Sequence, residues 1–359
     1  MTTQTPTPTP TLPVPAFYDP ARAGQWDYRP DVQRLFAEAA TWRKAHGIRP
    51  SGSDKTRVHL LLIDVQKDFC FPGGTLYVGG RSGRGAIDDS DRIARFIYAN
   101  LGLITDITCT LDTHFPYQVF FPAFWLDRDD APLGPHREVT TDQIRQGEVR
   151  PNPVVAWWLC NGNYAWLSKQ VEFYCGELEK AGKYRLYLWP PHCILGGDGH
   201  ALTGVVQEAR LLHAFARGSK NWMEVKGGHA LTENYSVLAP EVLARWDGAP
   251  LAQRNTQFIK TLLDSDVVVI AGQAASHCVK SSIEDLLVEI KARDEALARK
   301  VYVLEDCMSA VAVGDPARPG QFLFDFTPQA DAARRRFAAE GMNVVRSTDP
   351  IASWPGIRI

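Results

Sequence analysis

The stretch that decides the fold is DVVVIAGQAASHCVKSSIEDLLVEI, residues 266–290. Five apolar residues, Val267 to Ala271, read as a strand buried on both faces, and a helical pattern follows from about Cys278. Between them lie only small or polar residues, Gly272 to His277, so strand and helix are joined by a tight turn. Buried strands of this kind belong to parallel sheets with helices above and below. Ligands of such sheets collect at the carboxyl ends of the strands, which is where Cys278 falls.

Outward from this unit, short apolar runs alternate with helical stretches: VHLLLID (58–64), LITDITCT (103–110), YRLYLWP (184–190), NWMEVKG (221–227) and KVYVLED (300–306). The fold class expected is α/β, three-layer αβα, with a mainly parallel central sheet. Reactive side chains recur at the ends of these runs: Asp64, then Asp112 and His114, then Trp189 to Cys193, then Lys226 and Cys278. Strands often end in polar residues, but five such ends in one chain are hard to obtain from packing needs alone.

Three regions lie outside this alternation. Residues 1–20 are rich in Thr-Pro and are expected to be a flexible tail, and 21–55 an extension whose accessory helix (30–46) places Val32, Leu35, Phe36 and Ala39 on one face. Residues 56–359 are expected to form one α/β domain, interrupted by an insertion at about 115–183. The insertion is too long for a simple crossover and carries aromatic pieces such as VFFPAFW and VVAWWLCNGNYAW; it is expected to cover the catalytic edge of the sheet or meet another subunit.

Composition narrows the function. The 359 residues are 45% hydrophobic and 22% charged, enough for a large core, and the net charge of -2 supplies no basic stripe for nucleic acid or an anionic membrane. Seven scattered cysteines without paired CxxC spacing point to free thiols in a reducing compartment. With no signal peptide and no apolar run long enough to span a bilayer, a cytoplasmic location is expected.

A thiol at a helix N-terminus meets the positive end of the helix dipole, which favours the thiolate. Backbone amides in the small-residue turn are suited to hold an oxyanion. Such a nucleophile needs a base and a cation. Asp64, at the end of a buried strand, is the candidate base, and Lys226 the cation. Each has a plainer alternative, Asp64 as a turn cap and Lys226 as a solvated strand-end lysine; Asp68 is assigned the capping role instead. Asp112 and His114, two apart, point to the same side of an extended segment, and His192 in the stiff WPPHC loop supplies a third donor. One carboxylate with two imidazoles makes an open site for zinc, iron or manganese.

Together the motifs DVQKDFC (64–70), LDTHF (111–115), WPPHC (189–193), KGGHALTENYS (226–236) and GQAASHCV (272–279) resemble those of the isochorismatase-like cysteine hydrolases, and among them the nicotinamidases. The likeness covers most of residues 56–310. It implies a triad of Asp64, Lys226 and Cys278 and a divalent metal, zinc first, on Asp112, His114 and His192. It also implies an oxyanion hole from the Ala274 and Cys278 amides, turned inward by a cis Gln273–Ala274 bond, and substrate contacts from Phe69, Trp189 and Gln273. The activity implied is amide hydrolysis, nicotinamide to nicotinate and ammonia through a thioester, with a small-molecule amide as partner and a homo-oligomeric assembly. Hydrolysis of another small amide or an N-carbamoyl or ureido compound is the nearest alternative. A non-catalytic scaffold, with the aromatic insertion as its partner surface, is the alternative of another class.

Overall fold

The computed structural model describes residues 11–182 and 184–357. In chain order its elements are α1 (Val32–His46), β1 (Val58–Ile63), α2 (Lys67–Cys70), α3 (Gly85–Ala99), β2 (Asp106–Asp112), β3 (Trp125–Asp127), β4 (Arg137–Val139), α4 (Thr141–Arg145), β5 (Val149–Pro151), α5 (Pro153–Cys160), α6 (Tyr164–Ala181), β6 (Leu186–Leu188), α7 (Gly204–Arg217), β7 (Trp222–Lys226), α8 (Thr256–Asp264), β8 (Val267–Gly272), α9 (Cys278–Arg293), β9 (Val301–Leu304), β10 (Ala312–Gly314), β11 (Phe322–Asp325), α10 (Thr327–Ala339) and β12 (Asn343–Val345).

Six strands form the central sheet in the order β12-β9-β8-β1-β2-β7, and every pairing in it is parallel. Alternation along β1 shows why the run is apolar throughout. Leu60 and Leu62 enter one core with residues of α1, α3 and α7, whereas Leu61 and Ile63 enter a second core with residues of α8, α9 and α10. A strand with a helical layer on each side has no polar face to offer, so the three-layer architecture follows from the sequence pattern.

Two of the expected strands differ from the pattern. YRLYLWP supplies β6, but β6 pairs antiparallel with β4, outside the central sheet, and belongs to the inserted region. NWMEVKG supplies β7 at the edge of the sheet, where Trp222 and Val225 are exposed rather than covered. The short β12 was not anticipated; its three residues are too few to show a period.

Residues 119–188 build a separate cluster in which Phe121, Phe124, Trp125, Leu167, Tyr174 and Leu186 are fully buried. On its surface, α5 leaves Val154, Trp157 and Trp158 exposed. The first ten residues of the expected flexible tail lie outside the described residues. Of the remainder, Leu12 donates its N–H to Ala99 O at 2.9 Å and Tyr18 is buried, its hydroxyl donating to Asp91 at 2.5 Å. In α1, Leu35 and Ala39 are buried as expected, but Val32 and Phe36 are exposed, so the apolar face is narrower than their spacing suggested. The extension is tied down by Glu208 of α7, a fully buried carboxylate that accepts from the hydroxyls of Tyr28 and Tyr98. No helix among the described residues is long and apolar enough to cross a membrane.

Candidate active site

Sheet register brings the reactive side chains together. Asp112 at the end of β2 is the direct partner of Lys226 at the end of β7, and Ile63 of β1 is the partner of Gly272 of β8. Asp64, Lys226 and the turn before Cys278 therefore emerge at one edge. Gly272 is obligatory there: its φ is 121°, and a Cβ would lie 2.1 Å from Ile63 O.

Asp64 is completely buried, with a φ of 48°. Its N–H donates to Thr110 Oγ1 at 2.9 Å, and the Thr110 hydroxyl donates in turn to Asp64 Oδ1, which fixes the carboxylate. Lys226 Nζ stands among four partners: Asp64 Oδ2 at 2.9 Å, Asp112 Oδ1 at 3.0 Å, Asn234 O at 2.9 Å and Cys278 Sγ at 3.7 Å. A buried ammonium ordinarily gives up its proton. Here burial pulls that way, but Asp112 and Asp64 hold the Lys226 pKa well above its usual value.

Cys278 opens α9, as expected. Its titration does not follow the simple helix-terminus expectation. Burial pushes the thiol well above its ordinary range, with Asp64 and Asp112 adding to the rise and Lys226 opposing it. Burial also raises Asp64, against the pull of Lys226. Burial thus disfavours charge on both partners, so the thiol proton has to move during the reaction.

The Gln273–Ala274 peptide bond is cis. The flanking amides are used, Gln273 N–H donating to Ile63 O at 2.7 Å and Ala275 N–H to Ser309 O at 2.8 Å. Among the described residues, neither Ala274 N–H nor Cys278 N–H has a hydrogen-bond acceptor. Gln273, expected as a substrate contact, is not among the residues that line the catalytic cavity. It is fully buried, donates to Asp89 Oδ2 at 2.8 Å and accepts from Ser309 N–H at 3.3 Å, so both ends of its amide are used in support of the turn.

Asp112, His114 and His192 present ligand atoms within 4.8 Å of one another, all from buried residues. The donor chemistry suits a cation. His192 Nδ1–H donates to Pro190 O at 2.8 Å, which leaves its Nε2 free to ligate, and His114 Nδ1 lies 3.3 Å from Gly227 O, so both rings turn their Nε2 atoms toward Asp112. Those atoms lie 3.5 and 2.9 Å from Asp112 Oδ2. Burial opposes ionisation of Asp112, but His114 and Lys226 hold its carboxyl well below the usual range. Gln118 donates to Gly227 O at 2.7 Å and lies 3.2 Å from His114 Nδ1, so it braces the imidazole from behind. Gly227 leaves no room for a side chain, since a Cβ would sit 2.7 Å from His114 Cε1.

These groups border a cavity of about 50 Å³ lined also by Phe69, Phe120, Trp189, Tyr235 and His277. Phe69 and Trp189, expected as substrate contacts, are among these walls, and Tyr235, inside a quoted motif, was not anticipated there. Trp189 Nε1–H donates to Tyr235 Oη at 2.7 Å, locking the two rings. Glu233, also at the cavity, is pushed up to about 8 by burial and by Glu241. Asp68 does not cap a helix; its carboxylate accepts from Thr75 N–H at 3.2 Å and Cys193 N–H at 2.7 Å, anchoring the WPPHC loop.

No family model matches the sequence, and a search of curated proteins finds no match. Among solved structures, the chain is similar to a nicotinamidase/pyrazinamidase of Acinetobacter baumanii, with 19% identity over 83% of this chain and 99% of that one and a TM-score of 0.47. The yeast nicotinamidase bound to the inhibitor nicotinaldehyde aligns at 16% identity over 80% and 99%, with a TM-score of 0.48. A pyrazinamidase of Pyrococcus horikoshii in complex with zinc aligns at 16% over 81% and 100%, with a TM-score of 0.41.

Proposed function

We propose that the protein is a cysteine-dependent hydrolase of small amides, with Asp64, Lys226 and Cys278 as its catalytic residues and nicotinamide as the best single substrate. The observation that carries this reading is the position of Lys226 Nζ, in contact with Asp64, Asp112 and Cys278 together. A buried lysine serving packing alone would not gather a thiol and two carboxylates at the carboxyl edge of a parallel sheet.

Asp64 accepts the thiol proton as Sγ attacks the amide carbonyl carbon. The Lys226 ammonium offsets the charge on the sulfur and the carboxylate. The carbonyl oxygen, now an oxyanion, takes hydrogen bonds from the free N–H groups of Ala274 and Cys278. When the tetrahedral adduct collapses, the C–N bond breaks, the nitrogen takes the proton from Asp64 and ammonia leaves a thioester. Water then attacks the thioester as Asp64 accepts its proton. The C–S bond breaks, the proton returns to sulfur and the carboxylic acid departs.

Asp112, His114 and His192 would hold a divalent ion, zinc before iron or manganese. When bound it supplies a Lewis acid that polarises a water or a substrate atom. Phe69 and Trp189 give the cavity flat apolar walls suited to an aromatic ring. The test is ammonia release from a panel of small amides that includes nicotinamide and an N-carbamoyl amino acid. Turnover of nicotinamide supports the reading in full. Turnover of only the N-carbamoyl compound corrects the substrate, and no turnover of any amide by metal-supplemented protein refutes the hydrolase.

A further inference from the structure

A second and larger cavity, of about 430 Å³, abuts the catalytic one and shares three of its walls, Trp189, Tyr235 and His277. The inner cavity, at about 50 Å³, compares with the ~10–15 Å³ that a single water needs on such a measure. It has room for an amide head and little beyond one ring. Anything longer must continue past the shared walls.

The outer cavity is built for such a continuation. Tyr187, Phe324 and Phe326 add aromatic surface, and the Phe326 ring meets that of His277 edge-on at 4.9 Å. Its charges do not cancel. Arg185 is paired with Glu138 at 3.3 Å. Lys280, in the first turn of the helix that Cys278 opens, has only Glu284 at 3.8 Å, and Glu284 is already held by Arg336. Two cations, Lys280 and Arg336, thus share one carboxylate, which leaves one positive charge in excess at the cavity wall.

His277 supplies a polar group at the junction. Val311 N–H donates to Ser276 Oγ at 3.1 Å, and Ser276 Oγ lies 2.8 Å from His277 Nδ1. His277 Nε2 has no hydrogen-bond partner among the described residues.

We infer that the outer cavity is an acyl-side subsite, and that among amides longer than one ring it selects primary amides whose acyl group has a flat apolar body ending in one negative charge. The amide sits at Cys278, the body passes His277 between aromatic walls, and the terminal anion pairs with Lys280. The inference rests on the amide-hydrolase reading for its chemistry, but binding in the outer cavity can be measured apart from it.

The experiment compares two benzamides of similar length, one with a para butanoate arm and one with a para butyl arm, in native, Lys280→Gln and Lys280→Arg proteins. The ratio of kcat/KM, anionic over neutral, is expected to be about tenfold or more in the native protein, the worth of one charge-assisted hydrogen bond. It should fall close to one in Lys280→Gln and largely persist in Lys280→Arg. In parallel, equilibrium binding of both compounds to Cys278→Ala is followed by tryptophan fluorescence, with and without Lys280→Gln. A ratio near one in the native protein, or one that Lys280→Gln leaves unchanged, overturns the subsite. Tighter binding of the anion, lost in Lys280→Gln, with no hydrolysis of either compound, would keep the subsite and remove the hydrolase reading.

Discussion

Lys226 Nζ and Asp112 Oδ1 lie 3.0 Å apart, joining the nucleophile's surroundings to the metal-type site through one buried ion pair. The same ammonium bonds Asp64 on its other side, so the two sites share a charge and are not independent. Removing that charge would strand two buried carboxylates. Lys226→Met is expected to abolish activity and to destabilise the fold by about 3–5 kcal/mol, the usual cost of breaking a buried pair from one side. Chemical denaturation checks this; a variant as stable as the native protein would show that Lys226 is not the only compensation.

The pH dependence of activity follows from Asp64. Burial raises its pKa above the ordinary carboxylate value of about 3.9, and only the ionised form accepts the thiol proton. As pH falls, kcat/KM should therefore be lost at a higher pH than an exposed aspartate would give. The Thr110 hydroxyl favours the charged carboxylate, so Thr110→Val should move the acid limb further upward. An acid limb at or below pH 4 in the native enzyme would contradict the assignment of Asp64 as base.

Gly227 offers a test of the metal-type site that leaves its donors in place. With a φ of 81° and no room for a Cβ beside His114, Gly227→Ala should displace that imidazole. Bound metal, measured by elemental analysis after dialysis against zinc, is expected to fall at least as far as in His192→Ala. Full metal content in both variants would show that the ion binds elsewhere.

Acid stability depends on a different pair of residues. Burial lowers His59 and His213 to about 4, and each is held neutral, His59 against Thr108 Oγ1 at 3.0 Å and His213 by donating to Ile104 O at 2.8 Å. A histidine with a folded pKa below its unfolded value of about 6.5 gives full stability above 6.5 and loses it as pH falls toward the folded value. Between pH 6.5 and 4 each should cost on the order of 3 kcal/mol. Thermal melts across that window check the sign, and His213→Gln should flatten the dependence. No loss of stability down to pH 4 would mean that these histidines are not buried neutral.

How far the site was legible depends on where each residue sits. Asp64, Lys226 and Cys278 stood at the ends of apolar runs, and the parallel register of β2 with β7 and of β1 with β8 brings those ends together. His192 was found through its stiff proline loop, although the run before it is not a central strand; β6 pairs with β4, and the loop reaches the site because Asp68 anchors it. Gln273 was expected at the substrate because a polar residue beside the nucleophile reads like a contact; that Asp89 and Ser309, distant in sequence, take up both ends of its amide was not legible. Tyr235 carried no period or spacing that would mark it as a wall, and Phe326 lies in a part of the chain whose strands are too short to read. The rise of the Cys278 pKa was equally hidden, since a helix start is visible in sequence and the completeness of its burial is not.

The most direct test is mass analysis of the acid-quenched protein during turnover of nicotinamide. The expected result is a nicotinoyl adduct confined to the peptide carrying Cys278, absent in Cys278→Ala, with ammonia release lost by roughly 10⁴-fold or more in that variant. An unmodified Cys278 under conditions of rapid turnover, or a Cys278→Ala protein that still releases ammonia from nicotinamide, would contradict nucleophilic catalysis by this thiol.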